Sequence, residues 1–161
     1  LGYQFGLPIK QMIKAAKTFK GLPHRLEFIT SINKVDFYND SKSTNAVSTI
    51  TAVNSLLEKY SQLVLILGGI AKQENYSELI ELINKKVQTV VLIGDSSKVF
   101  SEQLSVPTLK IARSMEEAVG ISKSLAKAGA IVLSPACASF DMFDDFNDRG
   151  DQFKHHVIEG S

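Results

Sequence analysis

Three short segments hold most of the side chains able to do chemistry. The first, residues 39–45, reads Asn39-Asp40-Ser41-Lys42-Ser43-Thr44-Asn45 and runs into a stretch with helical spacing. Helix N-termini expose free N–H groups and a positive dipole end, which draw anions. Lys42 adds a full charge there, and Thr44 a hydroxyl donor. The second segment is Gly68-Gly69-Ile70-Ala71-Lys72. Paired glycines let a backbone come close to a ligand, and Lys72 follows them. The third, Ser134-Pro135-Ala136-Cys137-Ala138-Ser139-Phe140-Asp141, is rich in small residues and hydroxyls. Each segment also has a plain structural reading: a capped helix with a solvated lysine, a strand-to-helix turn, a small buried cysteine. Taken together, two lysines and several hydroxyls suit an anionic small molecule carrying carboxylate or phosphate.

Other titratable groups read as structural. His24 lies between Pro23 and Arg25 with no evident partner in sequence, so an orienting role outweighs acid–base work. Asp144, Asp145, Asp148 and Asp151 make an acidic stretch interleaved with Arg149 and Lys154, which reads as a solvated helix face. His155 and His156 read as surface residues. The sequence contains no Gly-x-x-x-x-Gly-Lys-[Ser/Thr] loop, no Gly-x-Gly-x-x-Gly fingerprint, no Gly-x-Ser-x-Gly elbow and no His-Glu-x-x-His. A complete nucleotide hydrolase, a dinucleotide enzyme and a zinc protease are therefore disfavoured.

Composition narrows the field further. The 161 residues fit one domain, at ~100–200 residues per domain. The net charge of +1 argues against a general nucleic-acid binder. The longest nearly apolar run, 63–71, is half of what a membrane span needs. A single cysteine leaves no disulfide framework. The chain begins Leu1-Gly2-Tyr3, without Met and with no charged-then-apolar leader, so no secretory signal is expected and the start fits either processing or a piece of a longer chain; the expected location is cytoplasmic.

The elements that must position these segments alternate. Residues 7–20 predict a helix with Ile9, Met12, Ile13, Ala16 and Phe19 at helical spacing, Pro8 in its first turn and Gly21 as its stop. Residues 26–32 and 35–38 predict a hairpin across Asn33-Lys34. A helix follows, with Thr44 or Asn45 as N-cap and Val47, Ile50, Val53 and Leu57 on its inner face. Then come strands at 63–67, 89–93, 108–112 and 130–133. Between them lie helices at 77–85, 96–103 and from Ser114, whose capping box with Glu117 opens a helix to 127. Residues 142–158 read as mostly helical. This pattern predicts an α/β, Rossmann-like three-layer domain with a mostly parallel sheet and one antiparallel strand from the N-terminal hairpin. Ligands of such sheets bind beyond the strand C-termini, at the loops 39–45, 68–72, 94–97 and 134–141.

Residues 21–27 (Gly-Leu-Pro-His-Arg-Leu-Glu), 37–45 (Phe-Tyr-Asn-Asp-Ser-Lys-Ser-Thr-Asn) and 133–141, with Phe143, Phe146 and Arg149-Gly150, resemble the C-terminal domain of the Mur ligases. The resemblance spans 7–158 and is closest to the family's D-glutamate-adding branch. It implies an enzyme of three domains. The first holds a UDP-sugar substrate. The second carries the ATP phosphate loop and magnesium ligands, and the third binds the incoming amino acid. Residues 1–6 would be a linker remnant and 7–161 the amino-acid-binding domain.

The implied reaction belongs to peptidoglycan synthesis. ATP phosphorylates the carboxylate of UDP-N-acetylmuramoyl-L-alanine, and the amine of D-glutamate attacks that acyl phosphate to form an amide. The resemblance assigns Lys72, Thr44 and Ser139 to the glutamate carboxylates, Phe140 and Phe146 to the pocket lining, and Lys42 to a place beside them. Arg25 and Asp40 would reach ATP from this side on domain closure. The domain's work would be positioning, with ATP and Mg2+ bound mainly by an absent domain and no turnover by the chain alone. No nucleic-acid or membrane partner is implied. Ser43 and Phe140 depart from residues common in relatives. A stand-alone module binding an anionic metabolite or nucleotide is the alternative; a folate-polyglutamating relative is disfavoured by the 39–45 loop.

Overall fold

The computed structural model describes residues 5–18 and 21–160. Its elements run α1 (Ile9–Thr18), β1 (Glu27–Ile32), β2 (Val35–Asn39), α2 (Ala46–Leu57), β3 (Leu63–Gly68), α3 (Ser77–Lys86), β4 (Thr89–Ile93), α4 (Ser97–Gln103), β5 (Thr108–Ile111), α5 (Met115–Leu125), β6 (Gly129–Leu133) and α6 (Phe146–Glu159). The six strands form one sheet in the order β1-β2-β6-β3-β4-β5. Only β1 is antiparallel to its neighbour, as the hairpin requires. Its turn residues Asn33 and Lys34 both sit at positive φ, 50° and 70°, the backbone of a two-residue turn matched to strand twist.

Strand side chains alternate between two cores. Leu63, Leu65 and Leu67 face α2, α3 and α4, joining Val53, Leu56, Leu79, Ile83 and Phe100. Val64 and Ile66 face α5 and α6, joining Met115, Val119, Phe153 and Val157. The sheet is thus the middle of three layers. Both faces are covered, which is why β3, β4 and β6 read as continuous apolar runs.

Three expectations change in detail. The inner face of α2 is Ala46, Thr49, Ala52, Val53 and Leu56, while Val47 stands 70% exposed. Small residues let the helix approach the sheet closely, so its buried stripe is not its most hydrophobic one. The C-terminal helix starts at Phe146, because the Ser139 carbonyl accepts the Met142 and Phe143 N–H groups in a turn before it. In α1, Ile9 and Ile13 are 56% and 49% exposed, so these two do not form a buried inner face; Phe19 lies outside the described residues.

Chain order also explains where a site forms. The chain leaves β2 through α2 to β3 and proceeds outward to β5. It then returns through α5 to insert β6 between β2 and β3. The loops that follow β2, β3 and β6 therefore become neighbours at the point where strand order reverses.

Candidate functional site

Asn45 caps α2, its Oδ1 accepting the Ser48 N–H at 2.9 Å. That leaves the Thr44 hydroxyl outside the helix, where Lys72 Nζ donates to it at 3.5 Å. Lys42 Nζ rests 3.7 Å from the centroid of the Phe146 ring. These groups line one cleft of about 190 Å³ with Ala138, Ser139 and Phe140. All six residues assigned to substrate (Lys72, Thr44, Ser139, Phe140, Phe146 and Lys42) thus meet in one place. Ser139 is 2% exposed at its floor, and Phe140 is 70% exposed at its rim.

A second groove of about 310 Å³ adjoins it, lined by Arg25, Leu26, Asp40, Lys42, Ser43 and the α2 residues Val47, Ser48 and Thr51. Lys42 borders both cavities. Arg25 stands exposed between His24 and Leu26, both held at positive φ (59° and 46°). Such backbone is costly for residues other than glycine, so other contacts must enforce it. Asp40 is one source: its Oδ1 accepts the Leu26 N–H at 2.9 Å, and its Oδ2 accepts from Ser134 Oγ at 2.7 Å. Burial raises the Asp40 carboxyl above the ordinary carboxylate range, with hydrogen bonds from Ser43 and Ser134 opposing. Asp40 is 5% exposed with both oxygens engaged inside the protein. In this conformation it shapes the turn that carries Arg25.

His24 has the partners that its neighbours in sequence did not reveal. The ring is buried, with Nδ1 2.9 Å from Asn39 Nδ2 and Nε2 3.8 Å from Asp151 Oδ1. Since the Asn39 amide nitrogen is a donor, Nδ1 accepts. Gly150 is required beside it, for a Cβ there would come within 2.2 Å of His24 Nδ1. The ring pins β2 to α6 and orients the Arg25 turn.

Arg149 is the residue that sequence reasoning misplaced. It reads as part of a solvated face but is fully buried. Its Nε donates to Ser41 Oγ at 2.9 Å, Nη2 to Ser41 O at 2.8 Å and Nη1 to Cys137 O at 3.1 Å. Ser41 Oγ in turn donates to Phe146 O at 2.7 Å. One guanidinium therefore ties the 39–45 loop to the 134–141 loop and to the start of α6. Burial pulls its pKa down to about 10, which leaves it cationic at neutral pH. The missed signal is positional: Phe146, Arg149, Phe153 and Val157 share one helical stripe. Cys137 is buried as expected, and burial pushes its thiol up.

Glycine is obligatory where the loops after β3 and β6 meet. Gly69 has φ +134°, and a Cβ on it would lie 2.1 Å from Ala138 O. The close approach lets Ile70 and Ala138 exchange two backbone hydrogen bonds, at 2.9 and 3.1 Å. Lys72 and Ser139 are brought to one cleft by that pairing. Among the described residues, no group of three or more His, Cys, Asp or Glu side chains could hold a metal ion. No helix among them is long and apolar enough to cross a membrane.

With two lysines and two hydroxyls gathered at its topological switch, this three-layer α/β domain is of the doubly wound class. The family model described as "Mur ligase, glutamate ligase domain" matches residues 24–137, and the chain belongs to that family. It is 47% identical over 157 residues to the UDP-N-acetylmuramoylalanine--D-glutamate ligase of Cytophaga hutchinsonii, covering 96% of this chain and 34% of that protein. It is 42% identical over 163 residues to the ligase of the same name from Marinobacter nauticus, covering 99% and 36%. The chain thus spans about a third of the length of these relatives. Its fold matches the MurF ligase from Thermotoga maritima in complex with ADP, with a TM-score of 0.67 at 17% identity over 99% of this chain and 36% of that one. It also matches a Mycobacterium tuberculosis folylpolyglutamate synthase complexed with ADP and AMPPCP, with a TM-score of 0.66 at 14% identity over 94% and 37%.

Proposed function

We propose that this chain is the amino-acid-binding part of an ATP-dependent amide-forming ligase that adds D-glutamate to UDP-N-acetylmuramoyl-L-alanine. The observation that carries the reading is the convergence of Lys42, Lys72, Thr44 and Ser139 on one cleft of about 190 Å³. Two ammonium groups facing one small cavity suit a ligand with two carboxylates. Lys72, with Thr44 and Ser139, holds the glutamate carboxylates, and Phe146 and Phe140 form the apolar wall and rim. Residues 7–161 act as this domain, with 1–6 leading in from a preceding one.

The neighbouring groove fits the anionic part of a nucleotide. It is bordered by the Arg25 guanidinium and the Lys42 ammonium, and its opposite wall is α2. ATP, when bound, supplies the phosphoryl group that activates the acceptor carboxylate, and its Mg2+ is held mainly by residues outside this chain. Lys42, on the border of the two cavities, faces both the amino acid and the nucleotide side. This domain contributes position: the amine of glutamate is aimed at the acyl carbon while its carboxylates are clamped. Orientation of this kind is worth ~7–11 kcal/mol of a barrier, more than any one hydrogen bond supplies. The reaction would take place in the cytoplasm, where the nucleotide substrates are.

Steady-state kinetics of a full-length ligase carrying these residues test the reading. Lys72→Ala and Thr44→Ala should raise the D-glutamate KM by roughly 10–150-fold, the loss of a charge-assisted hydrogen bond at ~1.5–3 kcal/mol. An unchanged KM in both variants rejects the assignment. The 161-residue chain alone should release no phosphate from ATP; turnover by it would reject the need for a separate nucleotide domain.

A further inference from the structure

We propose that the turn after β4, residues 94–96, is a clamp that sets the width of the carboxylate cleft, with Ser96 and Asp141 as its positioning residues. The proposal rests on the cleft reading above. The turn contributes no side chain to the cleft, yet it is bonded to both loops that do.

Toward the Lys72 loop, Ser96 makes a reciprocal pair with Gly69. The Ser96 N–H donates to Gly69 O at 2.9 Å, and the Gly69 N–H donates to Ser96 Oγ at 3.2 Å. Toward the Ser139 loop, the Asp95 N–H donates to Asp141 Oδ2 at 2.9 Å. The three segments meet at Gly94, whose φ is +71°. A Cβ on it would lie 2.1 Å from Asp141 Oδ2 and 2.9 Å from Gly69 Cα. Gly69 stands three residues before Lys72, and Asp141 two residues after Ser139. Asp141 Oδ1 is buried with no hydrogen-bond partner among the described residues. Burying a carboxylate oxygen without a donor is unfavourable. The carboxylate is held there by its bond from the turn and by the charge of the buried Arg149 guanidinium.

The physical consequence is distance control. Lys72 and Ser139 must hold one small anion between them, and hydrogen bonds weaken steeply once distance or angle drifts. The Ile70–Ala138 pairing fixes the two loops along one line. The Gly68 N–H bond to Pro135 O at 3.0 Å joins them again, and the turn at 94–96 adds a tie from a third segment, bracing Gly69 and Asp141 against each other.

The test is kinetic, in a full-length ligase carrying these residues, with Lys72→Ala as reference. Ser96→Ala and Asp141→Ala should each raise the D-glutamate KM by about 5–20-fold and lower kcat with it, because the amine is then misaimed, while the ATP KM stays within about twofold. Asp141→Asn keeps an oxygen for the Asp95 N–H and should return the glutamate KM to within about threefold of the parent. Backbone amide exchange at Ile70 and Ala138 should quicken in Ser96→Ala and Asp141→Ala and stay slow in Asp141→Asn. If Lys72→Ala raises the glutamate KM and both clamp variants leave it unchanged, the clamp is overturned while the cleft stands. The clamp is likewise overturned if Asp141→Asn is as impaired as Asp141→Ala. If Lys72→Ala and Thr44→Ala both leave the glutamate KM unchanged, the cleft reading falls and the clamp falls with it. Where Ser96→Ala fails to fold, the contrast between Asp141→Ala and Asp141→Asn decides.

Discussion

Lys42 Nζ stands 3.7 Å from the centroid of the Phe146 ring, on the aromatic face that borders the carboxylate cleft. The ring is itself fixed: the Phe146 carbonyl accepts from Ser41 Oγ, and the ring meets His24 edge-on at 6.2 Å. An ammonium over an aromatic face gains ~0.5–2 kcal/mol, so Phe146 holds a charge in place as well as lining the pocket. Phe146→Leu should therefore raise the glutamate KM of a full-length ligase by roughly 2–30-fold, while Phe146→Tyr, which keeps the π face, should not. A double-mutant cycle with Lys42→Met checks this. Additive effects would mean that ring and ammonium act independently.

Arg149 should matter for stability more than its place in a charged stretch suggests. Arg149→Met removes the donors to Ser41 O, Cys137 O and Ser41 Oγ, all buried. An orphaned buried acceptor costs ~1–3 kcal/mol, so a loss of roughly 2–5 kcal/mol is expected after partial relaxation. Urea unfolding of the chain measures it. A midpoint unchanged from the parent would show that the two loops hold together without the guanidinium.

Gly69→Ala should do damage on two counts. The backbone at φ +134° is one that other residues avoid, and the new methyl would sit 2.1 Å from Ala138 O. Strained backbone alone costs ~1–3 kcal/mol, and relief of the clash must push the Lys72 and Ser139 loops apart. Thermal unfolding should show the destabilisation, and the glutamate KM should rise with it. Parent-like values of both would contradict the close approach.

Asp145 predicts an acid-side loss of stability. It caps α6, its Oδ1 accepting the Asn147 and Asp148 N–H groups. The bond from Asp148, then that from the Asn147 side chain, holds its carboxyl below the ordinary carboxylate range. A carboxyl depressed in the folded state stabilises above its unfolded pKa, and that contribution is lost as pH falls through the folded value. Compared with Asp145→Asn, the parent should unfold at a higher temperature at pH 7, and the gap should close below about pH 4. A gap that stays constant down to pH 2 would rule out the charged cap.

Much of the architecture is legible in the residues. The apolar runs of β3, β4 and β6 announce strands covered on both faces, and Ser114 marks the start of α5, where its Oγ accepts the Glu117 N–H at 3.1 Å. Local signals of this kind survive because capping, turn geometry and strand burial depend on few neighbours. The inner face of α2 was less legible, since Ala46, Thr49 and Ala52 are buried for closeness to the sheet and carry little hydrophobic weight. Arg149 was hidden for a related reason. A charge in a polar stretch resembles solvated surface until its partners, Ser41 and Cys137, are known to lie against it.

By itself the sequence determined the alternation of strands and helices, the hairpin that makes one strand antiparallel, and the three polar segments with their lysines and hydroxyls. Each is a local property, set by side-chain periodicity, backbone preference and residue chemistry. Only the tertiary structure decided that Lys42, Lys72, Thr44 and Ser139 share one cleft, that Asp40 turns inward to Leu26 and Ser134, and that residues 94–96 bind both walls. Those relations join residues far apart in the chain. They exist because β6 returns between β2 and β3, and because glycines at 68, 69 and 94 let three strand ends meet at backbone contact.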